Sequence, residues 1–363
     1  MPKSITQRQI AAKLGLSPAA VSKAFRNSSD LSDKTRARIL EAAARLGYRL
    51  PSGRAVMAAT GHTATAETPA RFIGIFYCQG PPLKEPREQQ PQHGSVLYLD
   101  GLSEAAPWFN ASLVIHRVSD LSTDILDPAK QPPAFRDGLL AGLVLIYRFE
   151  PRVVTELAAR FPCVTLTHFV SGARCDHVDS DHIGGMSKLV EHLHGLGHRR
   201  IGYLGGQRPF AYDEARFGSY ARAMARLGLA FEPSMLANVF EHDADMRSVS
   251  DRAMAAIERG VTAWCCVSDG VARSLWRCLR ERGIRVPEDV SITGFDANQP
   301  WPDEQRITTV AAPFRDMGVE AVRTLLRRIE HPETPPRQIL IDCALEIGVS
   351  TGPARREAGG GRR

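Results

Sequence analysis

Apolar positions repeat at helical spacing through the first fifty residues. Residues 6–14 place Ile10, Ala11 and Leu14 on one face, and Gly15 ends the run. Ser17 then suits an N-cap and Pro18 the first helical position, where the missing N–H costs nothing. A second helix from Pro18 to about Phe25 carries Val21 and Phe25 inward and turns Ala19, Ala20, Ser22, Lys23 and Arg26 to other surfaces. Ser32 caps a third, striped by Ile39, Leu40, Ala43 and Leu46 and closed by Gly47. Residues 51–70 lose this periodicity and read as a linker rich in Ala, Thr, Gly and Pro.

From residue 71 the pattern alternates. Strand-like runs at Phe72–Tyr77, Leu113–Val118, Gly142–Tyr147, Cys163–Thr167, Ile201–Leu204, Trp264–Val267 and Val290–Thr293 are separated by amphipathic stretches near 98–108, 151–160, 182–196, 212–227, 249–259, 270–282 and 313–330. Alternation of this kind predicts an α/β fold of parallel sheets with helices on both faces. About 280 residues would overfill one sheet, so two are expected, and open parallel sheets bind ligands beyond the carboxyl ends of their strands.

Composition sharpens this picture mainly through the placement of charge. The 363 residues carry a formal net charge of +6. Residues 1–60 hold eleven Lys and Arg against Asp30, Asp33 and Glu41, a net +8, whereas residues 61–353 come to −5. A small basic head on an acidic body points to a polyanionic partner for the head. No run of 18 apolar residues and no signal-peptide core is present, so a cytoplasmic protein with no membrane association is expected. Seven scattered cysteines without a CxxC argue against a disulfide scaffold or structural zinc. His192, His194 and His198 do not share a helix face, so no metal is expected, and no cofactor-binding Gly-rich loop or nucleophile elbow appears.

A helix, a Gly turn and a second helix opened by Ser-Pro form a helix-turn-helix, whose second helix can enter the DNA major groove. Here the chain resembles the LacI/GalR (lactose-repressor) family of bacterial transcription regulators. The matching residues are Ile5-Thr6, Ile10-Ala11, Leu14-Gly15-Leu16-Ser17, Val21-Ser22-Lys23, Asn27, Leu31-Ser32, Thr35-Arg36 and Leu46-Gly47-Tyr48-Arg49. Further along, VEHLHGLGHRRIGYLGG (190–206), GIRVPEDVSITGFD (283–296) and Ile307-Thr308-Thr309-Val310 resemble the same family in the same order.

The resemblance implies a helix-turn-helix DNA-binding domain (1–50), a hinge (51–70), a two-lobed periplasmic-binding-protein-like sensor (71–352) and a basic tail (353–363). It places lobe one at about 71–175 and 310–338, and lobe two at 176–309 and 339–352. Pro18, Ala19, Ser22 and Lys23 would read bases, while Thr6, Ser17, Asn27, Ser32 and Thr35 would hold phosphates. Met57 falls at the hinge position that wedges the minor groove, although Leu50-Pro51, Gly53 and Arg54 depart from the family pattern. In the body, Arg216, Ser268, Asp269 and Asp296 match effector-binding positions, and Trp301 either stacks on a sugar face or lies in the core. The Pro- and Gln-rich stretch Gln79–Ser95 replaces a short loop of the family.

The function implied is that of a repressor, neither an enzyme nor a cofactor carrier. It would bind a palindromic double-stranded operator as a homodimer, with a tetramer as the alternative, and respond to a sugar-like small-molecule effector. Two other readings share the α/β body: a soluble sugar-binding module, which the basic head disfavours, and an α/β enzyme, which the lack of a catalytic motif disfavours.

Overall fold

The computed structural model describes residues 6–25, the helical residues 35, 38, 39 and 42, and residues 71–79, 93–119, 123–206, 211–239, 245–297 and 306–355. They divide into two units, Met1–Pro69 and Ala70–Arg363.

In the first unit, α1 (Gln7–Leu14) is opened by a capping box. Thr6 accepts from the backbone N of Gln9, and the Gln9 side chain reaches back to the Thr6 N–H. Gly15 stops the helix in the left-handed region at φ 65°, a conformation that glycine adopts without steric cost. Helix α2 (Pro18–Phe25) follows at once, its N-terminus capped by the Ser17 hydroxyl, which accepts from Ala20 N at 3.2 Å. Ile10, Ala11, Val21, Ala24, Ile39 and Ala42 are buried together as the head's core. The third-helix stripe therefore runs through Ile39 and Ala42; Leu40, Ala43, Leu46 and the cap at Ser32 lie outside the described residues.

The second unit contains β1 (Arg71–Gln79), α3 (His93–Ala105), β2 (Ala111–Ser119), α4 (Pro133–Arg136), β3 (Leu140–Ile146), α5 (Pro151–Arg160), β4 (Cys163–Leu166) and β5 (Asp176–Ser180). It continues with α6 (His182–Gly195), β6 (Ile201–Leu204), α7 (Ala211–Arg226), β7 (Leu236–Ala237), α8 (Met246–Glu258), β8 (Ala263–Cys266), α9 (Asp269–Glu281) and β9 (Ser291–Thr293). Last come β10 (Thr309–Ala311), α10 (Phe314–Glu330), β11 (Gln338–Ile341) and β12 (Ala344–Glu346). Two parallel sheets result, in the orders β11-β5-β4-β3-β1-β2 and β7-β6-β8-β9. Bridges from Thr293 to Thr308 and from Asp296 to Ala311 set β10 beside β9, and β10 pairs antiparallel with β12.

The sheets follow from the sequence in a direct way. Strand β3 (LAGLVLI) is buried along nearly its whole length, as a strand covered on both faces must be. Helix α9 buries Ala272, Leu275 and Leu279 along one stripe and exposes Arg277 and Arg280. Gly101 of α3 and Gly318 of α10 let those helices touch: a Cβ on Gly101 would collide with the Arg315 carbonyl, and one on Gly318 with the Tyr98 carbonyl.

The sheets differ in one respect from the expected lobes. Residues 176–180 and 338–341 are strands of the first sheet, not of the second. Strand β5 (DHVDS) lacks the apolar run of a buried strand, yet all five residues are buried because distant groups satisfy them. Arg328 of α10 grips Asp176 through two bonds (2.8 and 3.0 Å), and the Arg337 N–H donates to the same carboxylate at 2.7 Å. The chain thus passes between the sheets three times: after β5, between β10 and α10, and after β11.

Candidate functional site

Several strands end in unusual backbone at their carboxyl ends, where a parallel sheet offers its binding edge. Tyr147 after β3, Thr167 after β4, and Asp296 and Ala297 after β9 have φ of 68°, 64°, 115° and 49°. For an aromatic and a β-branched residue this region is costly, and such strain collects at ligand sites.

Between these ends lies a buried polar cluster centred on Arg216 of α7. Its Nη2 donates to Asp296 Oδ1 at 2.7 Å, Nη1 donates to the Val267 carbonyl at 2.7 Å, and Nε donates to His182 Nδ1 at 3.4 Å. The guanidinium carbon also lies over the rings of Tyr212 (4.2 Å) and Phe295 (3.9 Å), which add cation–π contacts. Burial disfavours its charge, but Asp296 more than compensates and the pKa of Arg216 is raised. Burial pushes the Asp296 carboxyl up, and the guanidinium pulls it back.

The first sheet contributes Asp179, at the end of β5. Both neighbouring imidazoles face its Oδ2, His177 Nε2 at 3.4 Å and His182 Nε2 at 3.3 Å. Burial alone would raise this carboxyl, but the hydrogen bonds from His177 and His182 hold it well below the usual carboxylate range. Tyr98 of α3 lies against Tyr147 and Phe314 in edge-to-face contacts of 6.1 and 4.9 Å. Its hydroxyl is buried with no hydrogen-bond partner among the described residues, and the phenol is pushed upward by burial first, then by Tyr147, Asp179 and Asp296. A buried, unmatched hydroxyl beside ionised groups is a place for a ligand's polar atom.

Asp269 and Ser268 play different parts. Ser268 caps α9, accepting from Val271 N at 3.4 Å. Both oxygens of Asp269 are bonded within the protein: Thr309 Oγ1 donates to one at 2.6 Å and Ala297 N to the other at 2.8 Å. Asp269 therefore clasps the loop after β9 to β10. Burial, and then the charge of Asp296, push its pKa up to about 7.

In the head, Pro18, Ala19 and Lys23 are exposed on α2, and Ser22 is half-buried. Thr6 and Ser17 serve as caps, and Thr35 is helical and half-buried. Asn27, Ser32, Met57 and Trp301 lie outside the described residues, as do residues 80–92 of the Pro- and Gln-rich stretch.

Residues 190–351 match the periplasmic binding protein-like domain family. Over 360 residues the chain is 26% identical to the HTH-type transcriptional regulator MalR of Streptomyces coelicolor, spanning 96% of this chain and 97% of that protein. Identity to the HTH-type transcriptional repressor CytR of Escherichia coli K12 is 25% over 355 residues, 95% of this chain and 96% of CytR. A LacI-family regulatory protein from Chloroflexus aggregans superposes with a TM-score of 0.63 at 26% identity, over 77% of this chain and 98% of that one. The chain is similar along nearly its whole length to transcriptional regulators, LacI-family proteins among them.

The LacI/GalR fold likeness extends to the lac repressor dimer bound to operator and the anti-inducer ONPF, with a TM-score of 0.62 at 21% identity over 96% of this chain and 100% of that one. Within the second unit, the resemblance located Arg216 and Asp296, and the fold brings them into contact. It did not point to Tyr98, Asp179, His182, Tyr212 or Phe295. Asp179 and His182 were visible in principle, as polar residues at the carboxyl end of a strand in an α/β pattern. Of the three histidines near residue 195, His192 meets Thr351 at 3.0 Å, and His198 meets Thr262, Ser291 and the Gly352 carbonyl at 2.9 to 3.1 Å. Among the described residues no group of His, Cys, Asp or Glu could hold a metal ion, and no helix is long and apolar enough to cross a membrane.

Proposed function

We propose that this protein is a transcriptional repressor whose operator affinity is set by an uncharged, hydroxyl-rich effector bound between its two sheets. The buried Arg216–Asp296 pair at the strand ends carries the reading. Arg216 is already matched by Asp296, and Asp179 is ionised, so an anionic effector would meet carboxylates without a compensating charge. A sugar hydroxyl can instead accept from the edge of Arg216 and donate to Asp296 or Asp179. Tyr98 offers a further hydroxyl from the first sheet, and Ser268 and Asp269 support the site from behind.

On the DNA side, Lys23 and Ser22, with apolar contacts from Pro18 and Ala19, read bases, and Thr6, Ser17, Asn27, Ser32 and Thr35 hold the phosphates. Met57 is the minor-groove wedge, and Trp301 adds a face to the effector. The working species is a homodimer on a palindrome, because one short helix reads few base pairs. Residues 1–50, 51–70 and 71–352 act as head, hinge and sensor. Effector and operator favour different arrangements of the sensor, so each changes the other's affinity by the same factor.

Gel shifts with the DNA upstream of its own gene test this, with D-ribose, D-glucose, sucrose and cellobiose as probes. Ribose, glucose and cellobiose occupy LacI-type or related regulators of the same fold. Specific binding that one of these sugars changes is expected. Lys23→Ala should weaken binding by about 1–3 kcal/mol at one half-site position and relax its base preference. Binding no tighter than to random DNA at physiological salt sinks the proposal.

A further inference from the structure

His182 occupies the first position of α6, after Asp181, whose side chain caps that helix by accepting from Gly184 N at 2.9 Å. Its imidazole is buried between groups from both sheets. Asp179 and Ser180 face it from β5, Arg216 and Tyr212 from α7, and Phe295 and Asp296 from the end of β9.

The hydrogen-bond directions fix its state. Arginine only donates, so the Arg216 Nε–H aimed at His182 Nδ1 requires a lone pair there. The Ser180 hydroxyl, 3.4 Å from the same nitrogen, has Asp179 Oδ1 as its acceptor at 3.5 Å and asks for no proton from the ring. The ring proton must then sit on Nε2, where it meets Asp179 Oδ2 at 3.3 Å. Asp179 is held ionised and can only accept. One tautomer, neutral with the proton on Nε2, satisfies every partner.

We propose that His182 is a positioning residue for effector recognition. Asp179 of the first sheet selects its tautomer, and that tautomer orients Arg216 in the second. This inference rests on the proposed effector site. It assigns a role to a residue that touches no effector atom. Val267 and Asp296 fix the two terminal nitrogens of Arg216, and His182 fixes Nε, so the guanidinium plane is set from three sides. Because β5 and α7 belong to different sheets, the relay is complete only while the sheets hold this arrangement.

Two measurements test it on the full-length chain. The first is a long-range ¹H–¹⁵N spectrum of histidine-labelled protein, with His182 assigned by its loss in His182→Asn. The Nε2–H tautomer is expected at pH 7, with a mixture in Asp179→Asn, whose amide can also donate. A proton on Nδ1 in the wild type overturns the proposal. The second is sugar-dependent release from operator. His182→Phe keeps the ring's bulk without an acceptor and should raise the half-effective sugar concentration roughly tenfold to a hundredfold, as expected for losing a hydrogen bond to a charged group. His182→Asn keeps an acceptor in the place of Nδ1 and should stay within about threefold of wild type. A wild-type response in His182→Phe overturns the relay. If no sugar acts on the wild type, the effector reading falls, and the tautomer measurement still decides the relay.

Discussion

Replacing Arg216 by Met and Asp296 by Asn, singly and together, probes whether the cluster is a true buried ion pair. The two groups are 2% and 8% exposed and 2.7 Å apart. Removing one member strands the other in a medium that solvates it poorly, which costs about 3–5 kcal/mol. Arg216→Met also forfeits the contacts with Tyr212 and Phe295, roughly 0.5–2 kcal/mol. The double variant leaves no stranded charge, only an amide and the Val267 carbonyl without their partner, for about 1–3 kcal/mol each. The coupling between the sites should therefore centre on about 4 kcal/mol. Urea unfolding followed by tryptophan fluorescence and circular dichroism measures it, at fixed protein concentration because association shifts apparent stability. Asp296 left alone can escape its penalty by taking a proton, so Arg216→Met should cost less at pH 5 than at pH 8. Single effects that sum to the double within about 0.5 kcal/mol would refute the reasoning, because independent groups add in that way.

Two further outcomes bear on stability. Asp269 has its pKa raised to about 7, so the proton it retains stabilises the fold most below pH ~4, and that contribution is lost as pH rises through 7. Asp269→Asn should therefore gain on the wild type between pH 4.5 and 8, by up to roughly 4 kcal/mol, read as a shift in urea midpoint; a pH-independent difference would disprove it. Gly101→Ala should lower the melting temperature, because its new Cβ meets the Arg315 backbone and α3 and α10 must part, at a cost of about 1–3 kcal/mol or more. Gly218→Ala, where a Cβ meets nothing within 4 Å, is the matched control and should gain about 0.5–1 kcal/mol.

How much of this was legible in the chain depends on how local each signal is. The head was readable because its punctuation is carried by neighbours: Gly15 adopts the left-handed turn that its position after Leu14 implies, and Ser17 caps the helix that Pro18 opens. Strands such as β3 announce themselves by continuous apolar runs. Strand β5 does not, because what makes DHVDS a buried strand is an arginine 152 residues away. The strand-end position of Asp179 and His182 was legible, but their link to Arg216 was not, because that partner arrives from another element and no spacing rule connects them. Ser268 and Asp269 have a further duty that no local pattern shows. Ser268 caps α9, and Asp269 clasps the loop after β9 to β10.

The three passages of the chain between the sheets have a mechanical consequence. A body joined by one strand can swing in any direction, but one joined by three side-by-side threads is stiff to shear and free mainly to twist or fold about the line through them. Sliding one sheet past the other would have to stretch the paired β10 and β12, which belong to different threads. A small molecule pulling Tyr98 and Arg216 toward each other can then produce only a rotation, and every residue far from the axis moves in proportion to its distance. Such a linkage turns a displacement of ångströms at a pocket into a larger one at the far edge of the first sheet.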